Sequence, residues 1–373
     1  MIGIKFIVIG LDALRCLALC FCTFNLEVKT YSQCLAVKGD NLQISRFFCN
    51  FEAVKSVYLT YFMATVAMVV ASCGCSKAVS KSAESHTEVA PIVASFSADS
   101  AYAYVAKQVE FGPRIPQNQA HQKCAEWLAS ELERHGADTV MLQTADLPNF
   151  GPMTNILGRF NSKAYGRVLL LAHWDTRPWA DADPNVANHR KPIDGANDGA
   201  SGVGILLEVA RQIGLNSPQI GVDILFVDAE DSGTEGDDAS WARGTQYWVQ
   251  NMPIASPRYA VLLDMVGGKD ARFAREYISE VYARSVNNRV WSLAHELNLS
   301  ARFPERLGGA VNDDHVPLLQ AGIPAIDIVE NDHPQTGSFN PTWHTLADNL
   351  ENIDRQTLGD VGLVVTTLIY REK

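Results

Sequence analysis

From residue 101 onward the chain switches repeatedly between two hydrophobic periods. AYAYVAKQVEFG (101–112) and AHQKCAEWLASELERHGA (120–137) carry apolar residues at helical spacing, the second stopping at Gly136. Thr139 to Leu147, Asn155 to Phe160 and Arg167 to His173 alternate or run apolar and predict strands. Ser201 to Ile213 predicts a helix opening on Gly and Ser, Arg243 to Gln250 a second, Tyr277 to Leu297 a third and Arg355 to Tyr370 a fourth. VDILFV (222–227), YAVLL (259–263) and PAIDIV (324–329) are short apolar runs, the form a strand takes when both its faces are covered. Strand and helix in alternation predict an α/β fold: an open, mostly parallel mixed sheet with helices on both faces, a three-layer sandwich. In such sheets ligands bind beyond the carboxyl ends of the strands.

The N-terminal third has a different character. Residues 1–22 are apolar but contain Asp12 and Arg15, against a clean membrane span. Lys55 precedes VYLTYFMATVAMVVASCGCSK, an apolar run too short to span that ends in small residues and cysteine, the layout of a secretory signal. Val70-Ala71-Ser72-Cys73 resembles a bacterial lipobox, whose cysteine would be lipidated. Residues 1–75 are therefore read as an over-extended N-terminus, with the true start near Met63, plus a lipoprotein signal. Residues 76–95, rich in Ser, Lys, Glu and Ala, are read as a flexible tether, and 96–373 as the catalytic domain. The expected location is outside the cytoplasm: periplasmic, or membrane-anchored through Cys73.

Charge and cysteine usage narrow the chemistry. Lys and Arg total 31 against 42 Asp and Glu, a formal net charge of -11 with no basic cluster, which excludes nucleic acid as a partner. Seven of the eight cysteines precede residue 76 and only Cys124 follows, so a metal in the body must use His and carboxylate ligands.

Those ligands stand at the strand ends. RVLLLA leads into His173-Trp174-Asp175, VDILFV into Asp228-Ala229-Glu230-Asp231, and YAVLL into Asp264. Between them lies the small-residue loop GANDGASG (195–202), and nearer the C-terminus come Asn312-Asp313-Asp314-His315 and Pro341-Thr342-Trp343-His344-Thr345. Several acids at one sheet edge repel unless a cation holds them. Imidazole plus carboxylates suits Zn²⁺ in a three-ligand catalytic site, with Asp198, Asp231 and His344 as the set. Glu230, beside a ligand but projecting differently, is placed to act as general base and acid.

HWD, GANDGASG, the acidic pair after a strand, LLDMVG, DDH and WHT, in that order, resemble the zinc-dependent aminopeptidase clan over roughly Ala101 to the C-terminus. Within it they are more similar to bacterial glutaminyl cyclases. The resemblance implies a zinc exopeptidase-like sandwich, one Zn²⁺ per chain, and conversion of N-terminal glutamine in peptides and proteins to pyroglutamate by a monomer. It assigns Asp264 and Asp313 as catalytic acids that share a proton and orient the substrate amide, and Trp343 as a wall for the glutamine side chain. WDTRPW (174–179) looks like the bacterial cyclases, while Trp179 and Trp241 are read as either pocket lining or packing. Two alternatives stay open. A two-zinc aminopeptidase would use His173, Asp198 as bridge, Asp231, Asp264 and His344. A metal-free scaffold relative would keep the fold without the chemistry.

Overall fold

The computed structural model describes residues 37–38, 41–42 and 94–373. The chain divides into two compact units, Met1–Thr87 and Glu88–Lys373. In the first, β1 (Val37–Lys38) and β2 (Asn41–Leu42) pair antiparallel. The signal segment, the lipobox Cys73 and nearly all of the expected tether lie outside the described residues. No helix among the described residues is long and apolar enough to cross a membrane.

The second unit runs α1 (Ala98–Glu110), α2 (Gln119–Arg134), β3 (Thr139–Leu147), β4 (Gly151–Phe160), β5 (Arg167–His173), α3 (Ala200–Leu215), β6 (Gly221–Val227) and α4 (Arg243–Gln250). It continues through β7 (Ala260–Asp264), α5 (Tyr277–Tyr282), α6 (Arg284–Glu296), α7 (His315–Gln320), β8 (Ala325–Val329) and α8 (Arg355–Arg371). Six strands form one sheet in the order β3-β4-β6-β5-β7-β8. The pairs β3/β4 and β4/β6 are antiparallel, and the pairs among β6, β5, β7 and β8 are parallel. The expected mixed, mostly parallel α/β sheet is therefore present.

The parallel strands are apolar throughout because both faces are covered: every residue of β5, β6, β7 and β8 is buried. Leu170, Ile224, Val261 and Ile328 join one core with α1, α3, α6 and α8, while Leu169, Leu171, Leu225 and Leu262 join a second with Trp248 of α4 and Leu318 of α7. Truncating such a leucine costs about 2–5 kcal/mol. Polar caps set the helix starts: Ser97, Asn118 and Asp354 each accept a backbone N–H from the first turn of α1, α2 and α8.

Three departures from the sequence reading are local. The helix expected over Tyr277 to Leu297 is two, broken at Ala283, whose φ of -134° and ψ of 33° leave the helical region. β4 begins at Gly151, four residues before the expected Asn155, because β3 zips against its whole length. The short α7 was not expected; only six residues long, it spans too few turns to display a periodicity.

Candidate active site

Strand register alone brings the first two groups together. Leu171 of β5 pairs with Leu262 of β7, so two residues further on His173 and Asp264 finish their strands side by side. His173 Nε2 lies 3.1 Å from Asp264 Oδ1 and 3.1 Å from Asp198 Oδ1.

Asp198 is supplied by the loop that leads into α3. Gly199 takes φ +89°, and a Cβ there would stand 2.8 Å from the Asp175 carbonyl oxygen, so the turn that aims Asp198 at the sheet edge requires glycine. The loop is pinned from below. The Asp348 carboxylate accepts the N–H groups of Asn197 (2.7 Å) and Asp198 (3.1 Å), Asn197 Oδ1 accepts from Gly267 N–H, and Ser201 Oγ donates to the Asn197 carbonyl.

After β6 the chain turns sharply at Ala229, in left-handed backbone with φ 59°. The N–H groups of Glu230 and Asp231 both donate to the Asp175 carboxylate at 3.2 Å. The acids of this turn then part company. Asp228 accepts from Thr154 N–H (2.7 Å) and contacts His121 Nε2 (2.9 Å), a structural role, whereas Asp231 Oδ1 lies 3.0 Å from His344 Nε2. The same imidazole nitrogen is 3.5 Å from Asp198 Oδ2.

Asp198, Asp231 and His344 thus form one group whose ligand atoms lie within 4.8 Å of one another; His173, Asp198 and Asp264 form a second, sharing Asp198. Both fit a cation. Asp198 Oδ2 and Asp231 Oδ2 are buried without a hydrogen-bond partner, a costly state for a carboxylate oxygen that coordination would relieve. Without a cation the site retains protons. Burial raises Asp231 to about 6 and Asp264 to about 7, with Asp198 adding to the first and Asp313 to the second. Burial works against a charged His344, yet Asp231, Asp181 and Asp198 raise it to about 10. Glu230 is held well above the ordinary carboxyl range by burial and then by Asp313.

These groups open into a cavity of about 390 Å³ lined by Asp198, Glu230, Asp231, Asp264, Asp313, Trp241, Trp343 and His344. Trp343 stacks on His344 with ring centroids 3.8 Å apart, and Trp241 lies nearly parallel to the same imidazole at 6.3 Å. Trp179 stands apart from the cavity, 42% exposed and packed over Arg177.

Peptidase family M28 matches residues 155–369. The chain belongs to that family. This M28 chain is 24% identical over 267 residues to glutaminyl-peptide cyclotransferase of Bos taurus, covering 62% of this chain and 69% of the bovine one. Solved structures lie nearer. The glutaminyl cyclase of Bacteroides thetaiotaomicron, bound to N-acetylhistamine, is 44% identical with a TM-score of 0.73, covering 76% of this chain and 100% of that one. The glutaminyl cyclase of Tannerella forsythia is 48% identical, TM-score 0.72, at 75% and 100% coverage. A structure described as a leucine aminopeptidase precursor from B. thetaiotaomicron is 43% identical, TM-score 0.72, at 76% and 100% coverage.

All seven sequence-derived site residues, Asp198, Glu230, Asp231, Asp264, Asp313, Trp343 and His344, meet at this one cavity. Asp313 and Asp264 line the cavity together, and the charge of Asp313 raises Asp264 further. The Asp313 carboxylate accepts Asp314 N–H at 2.5 Å, and its charge also acts on buried Asp327. Asp327 belongs to β8 and is wholly buried, and beyond it His315 and Glu276 continue the polar chain inward. Sequence reasoning passed over Asp327, Asp348 and Asp181. An acid inside the apolar run PAIDIV was the available signal for the first, since unpaired acids are almost never buried; Asp348 and Asp181 sit in irregular loops that carry no such mark.

Proposed function

We propose that the protein is a zinc-dependent glutaminyl-peptide cyclotransferase, an acyl-transfer enzyme that closes N-terminal glutamine to pyroglutamate and releases ammonia. The observation that carries this reading is Glu230, a buried and proton-retaining carboxyl group beside the Asp198–Asp231–His344 group, in a cavity that Trp343 walls. The glutaminyl cyclases of Bacteroides thetaiotaomicron and Tannerella forsythia, 44% and 48% identical and covered end to end, support it.

Asp198, Asp231 and His344 would hold one zinc ion, and when bound it supplies Lewis-acid polarisation of a carbonyl. Glu230 takes a proton from the substrate α-amine as the amine nitrogen forms its bond to the γ-carbon. It returns that proton to the amide nitrogen as the γ-carbon–nitrogen bond breaks and ammonia leaves. A carboxyl group held above its ordinary range suits both directions, because it takes up a proton more readily than a free carboxylate and can still return it. Asp264 and Asp313 orient the departing amide, and Trp343 holds the aliphatic part of the side chain against its ring. The reacting atoms belong to one residue, so folding that residue for attack supplies much of the acceleration.

Substrates in this reading are peptides and proteins with N-terminal Gln, and the working form is a monomer. Export and a lipid anchor at Cys73 belong to the same proposal, supported by the signal-like sequence of residues 55–77.

The second His173–Asp198–Asp264 group favours an alternative, a two-zinc aminopeptidase. Purified protein assayed side by side on Gln-β-naphthylamide and Leu-p-nitroanilide separates the two. Ring closure with ammonia release on the first and no amine release from the second is expected. Release of nitroaniline without cyclisation reverses the assignment.

A further inference from the structure

Arg177 lies in the coil that follows β5, 3% exposed, and its guanidinium is held on every side. Its Nε and Nη2 donate to the two carboxylate oxygens of Asp181 at 3.3 and 2.6 Å. Its Nη1 donates to the carbonyl oxygens of Asp231 (3.1 Å) and Gly233 (2.7 Å). The indole rings of Trp179 and Trp241 lie 5.1 and 4.9 Å from its central carbon. Gly233 makes the second contact available, since a Cβ there would stand 2.1 Å from the Trp241 ring.

Two of the three hydrogen-bond partners of this fork lead to two different residues of the Asp198–Asp231–His344 group. One is Asp231 itself, gripped through its backbone. The other is reached through Asp181, whose Oδ1 lies 3.4 Å from His344 Nδ1, the nitrogen opposite the one facing Asp198 and Asp231. The same coil also fastens the backbone around His344: Ala182 N–H donates to the His344 carbonyl and Leu346 N–H to the Asp183 carboxylate, each at 3.1 Å. A carboxylate on the far nitrogen of a ligating histidine fixes its tautomer and ring plane. A planar fork with five donors can hold a carboxylate and two carbonyls at once, which a lysine ammonium on a flexible stem cannot.

We propose that Arg177 is a positioning residue for the metal group, aligning Asp231 directly and His344 through Asp181. This rests on the reading of Asp198, Asp231 and His344 as zinc ligands. Arg177 touches neither the ion nor the substrate in this arrangement, so its effect falls first on metal affinity.

The test is competition for zinc between the chelator-stripped protein and a chromophoric chelator, in the wild type, R177Q, R177K, D181N and R177Q/D181N. R177Q and D181N are each expected to weaken zinc binding by about 10–100-fold, the range for outer-shell partners of a ligand. R177K should recover part of the loss, and the double variant should lose much less than the product of the two singles, because Asp181 acts in line with Arg177. With cobalt(II) in place of zinc, the visible ligand-field band should change in R177Q and D181N. Arg167, a buried arginine paired with Asp223 at the opposite end of β5, is the control. R167Q should lower the melting temperature and leave zinc affinity intact. R177Q binding zinc within about twofold of wild type, losses that multiply in the double variant, or equal zinc loss in R167Q would each overturn the proposal. A wild type that binds no zinc would overturn the ligand assignment itself, an outcome distinct from normal binding in R177Q.

Discussion

A single imidazole nitrogen of His173 stands between two carboxylates, 3.1 Å from Asp198 and 3.1 Å from Asp264. Burial works against a charged His173, yet Asp175 at its other nitrogen, Asp198 and Asp264 raise it well above its ordinary range, which favours the imidazolium. In the proposed enzyme that charge stands where a second metal would.

Purified protein should therefore carry one zinc per chain by elemental analysis, and His173→Ala should keep it. Removing the imidazolium leaves buried Asp264 without its partner, at a cost of about 3–5 kcal/mol of folding stability by denaturant titration. Two zinc ions per wild-type chain, with one lost in the variant, would make His173 a ligand.

Glu230→Gln keeps the shape of the side chain and removes its proton transfer. Turnover on a Gln-β-naphthylamide substrate should fall by about 10²–10⁴-fold. Zinc content should stay at the wild-type value. If zinc leaves with the mutation, Glu230 is a ligand and the base lies elsewhere.

Metal-free protein should lose stability as pH rises. Burial raises Asp231 to about 6 and Asp264 and Asp348 to about 7 from an unfolded value of 3.8, and neighbouring acids raise His344 to about 10 from 6.5. The folded chain then holds more protons than the unfolded chain across pH 4–7 for the acids and pH 6.5–10 for the histidine. Stability falls wherever the folded state binds the excess. The melting temperature in chelator should drop between pH 5 and pH 8. Added zinc should restore more of it at the upper end, where His344 gives up its proton more readily to a metal. A melting temperature that climbs over that interval would contradict the buried-acid account.

Gly202 lies in the first turn of α3, where a Cβ would stand 2.2 Å from the Leu263 carbonyl oxygen of β7. Gly202→Ala should push the helix start off the strand and separate Asp198 from Asp264. A loss of about 1–3 kcal/mol in denaturant unfolding is expected, as for other overpacked sites. Wild-type stability in the variant would show that helix and strand have room to spare.

The strand ends were legible because a fully buried parallel strand is an unbroken apolar run, and the first polar residue after it marks the sheet edge. His173 and Asp264 follow from that rule with no knowledge of tertiary structure, and Asp231 lies in the acidic turn that the same rule marks at Asp228. His344 and Asp313 do not, since each lies in a loop far along the chain from its partners, and only the order of motifs tied them to the rest. The supports were hidden for the same reason. Asp348 steadies Asp198 across 150 residues, and Asp181 reaches His344 across a similar span, contacts that no local period encodes. Ala283 divides a helix whose apolar pattern runs on unbroken, and no Gly or Pro announces the break.

Ala229, Met265 and His344 all adopt left-handed backbone, at φ 59°, 48° and 53°, each next to or among the acids of the cavity. A side chain in that conformation costs about 1–2 kcal/mol that glycine would avoid. The rim of the cavity is thus a loaded spring, kept bent by the sheet and helices behind it. Selection for thermal robustness alone would place glycine at Ala229 and let the turn relax, so durability and turnover should pull this turn in opposite directions.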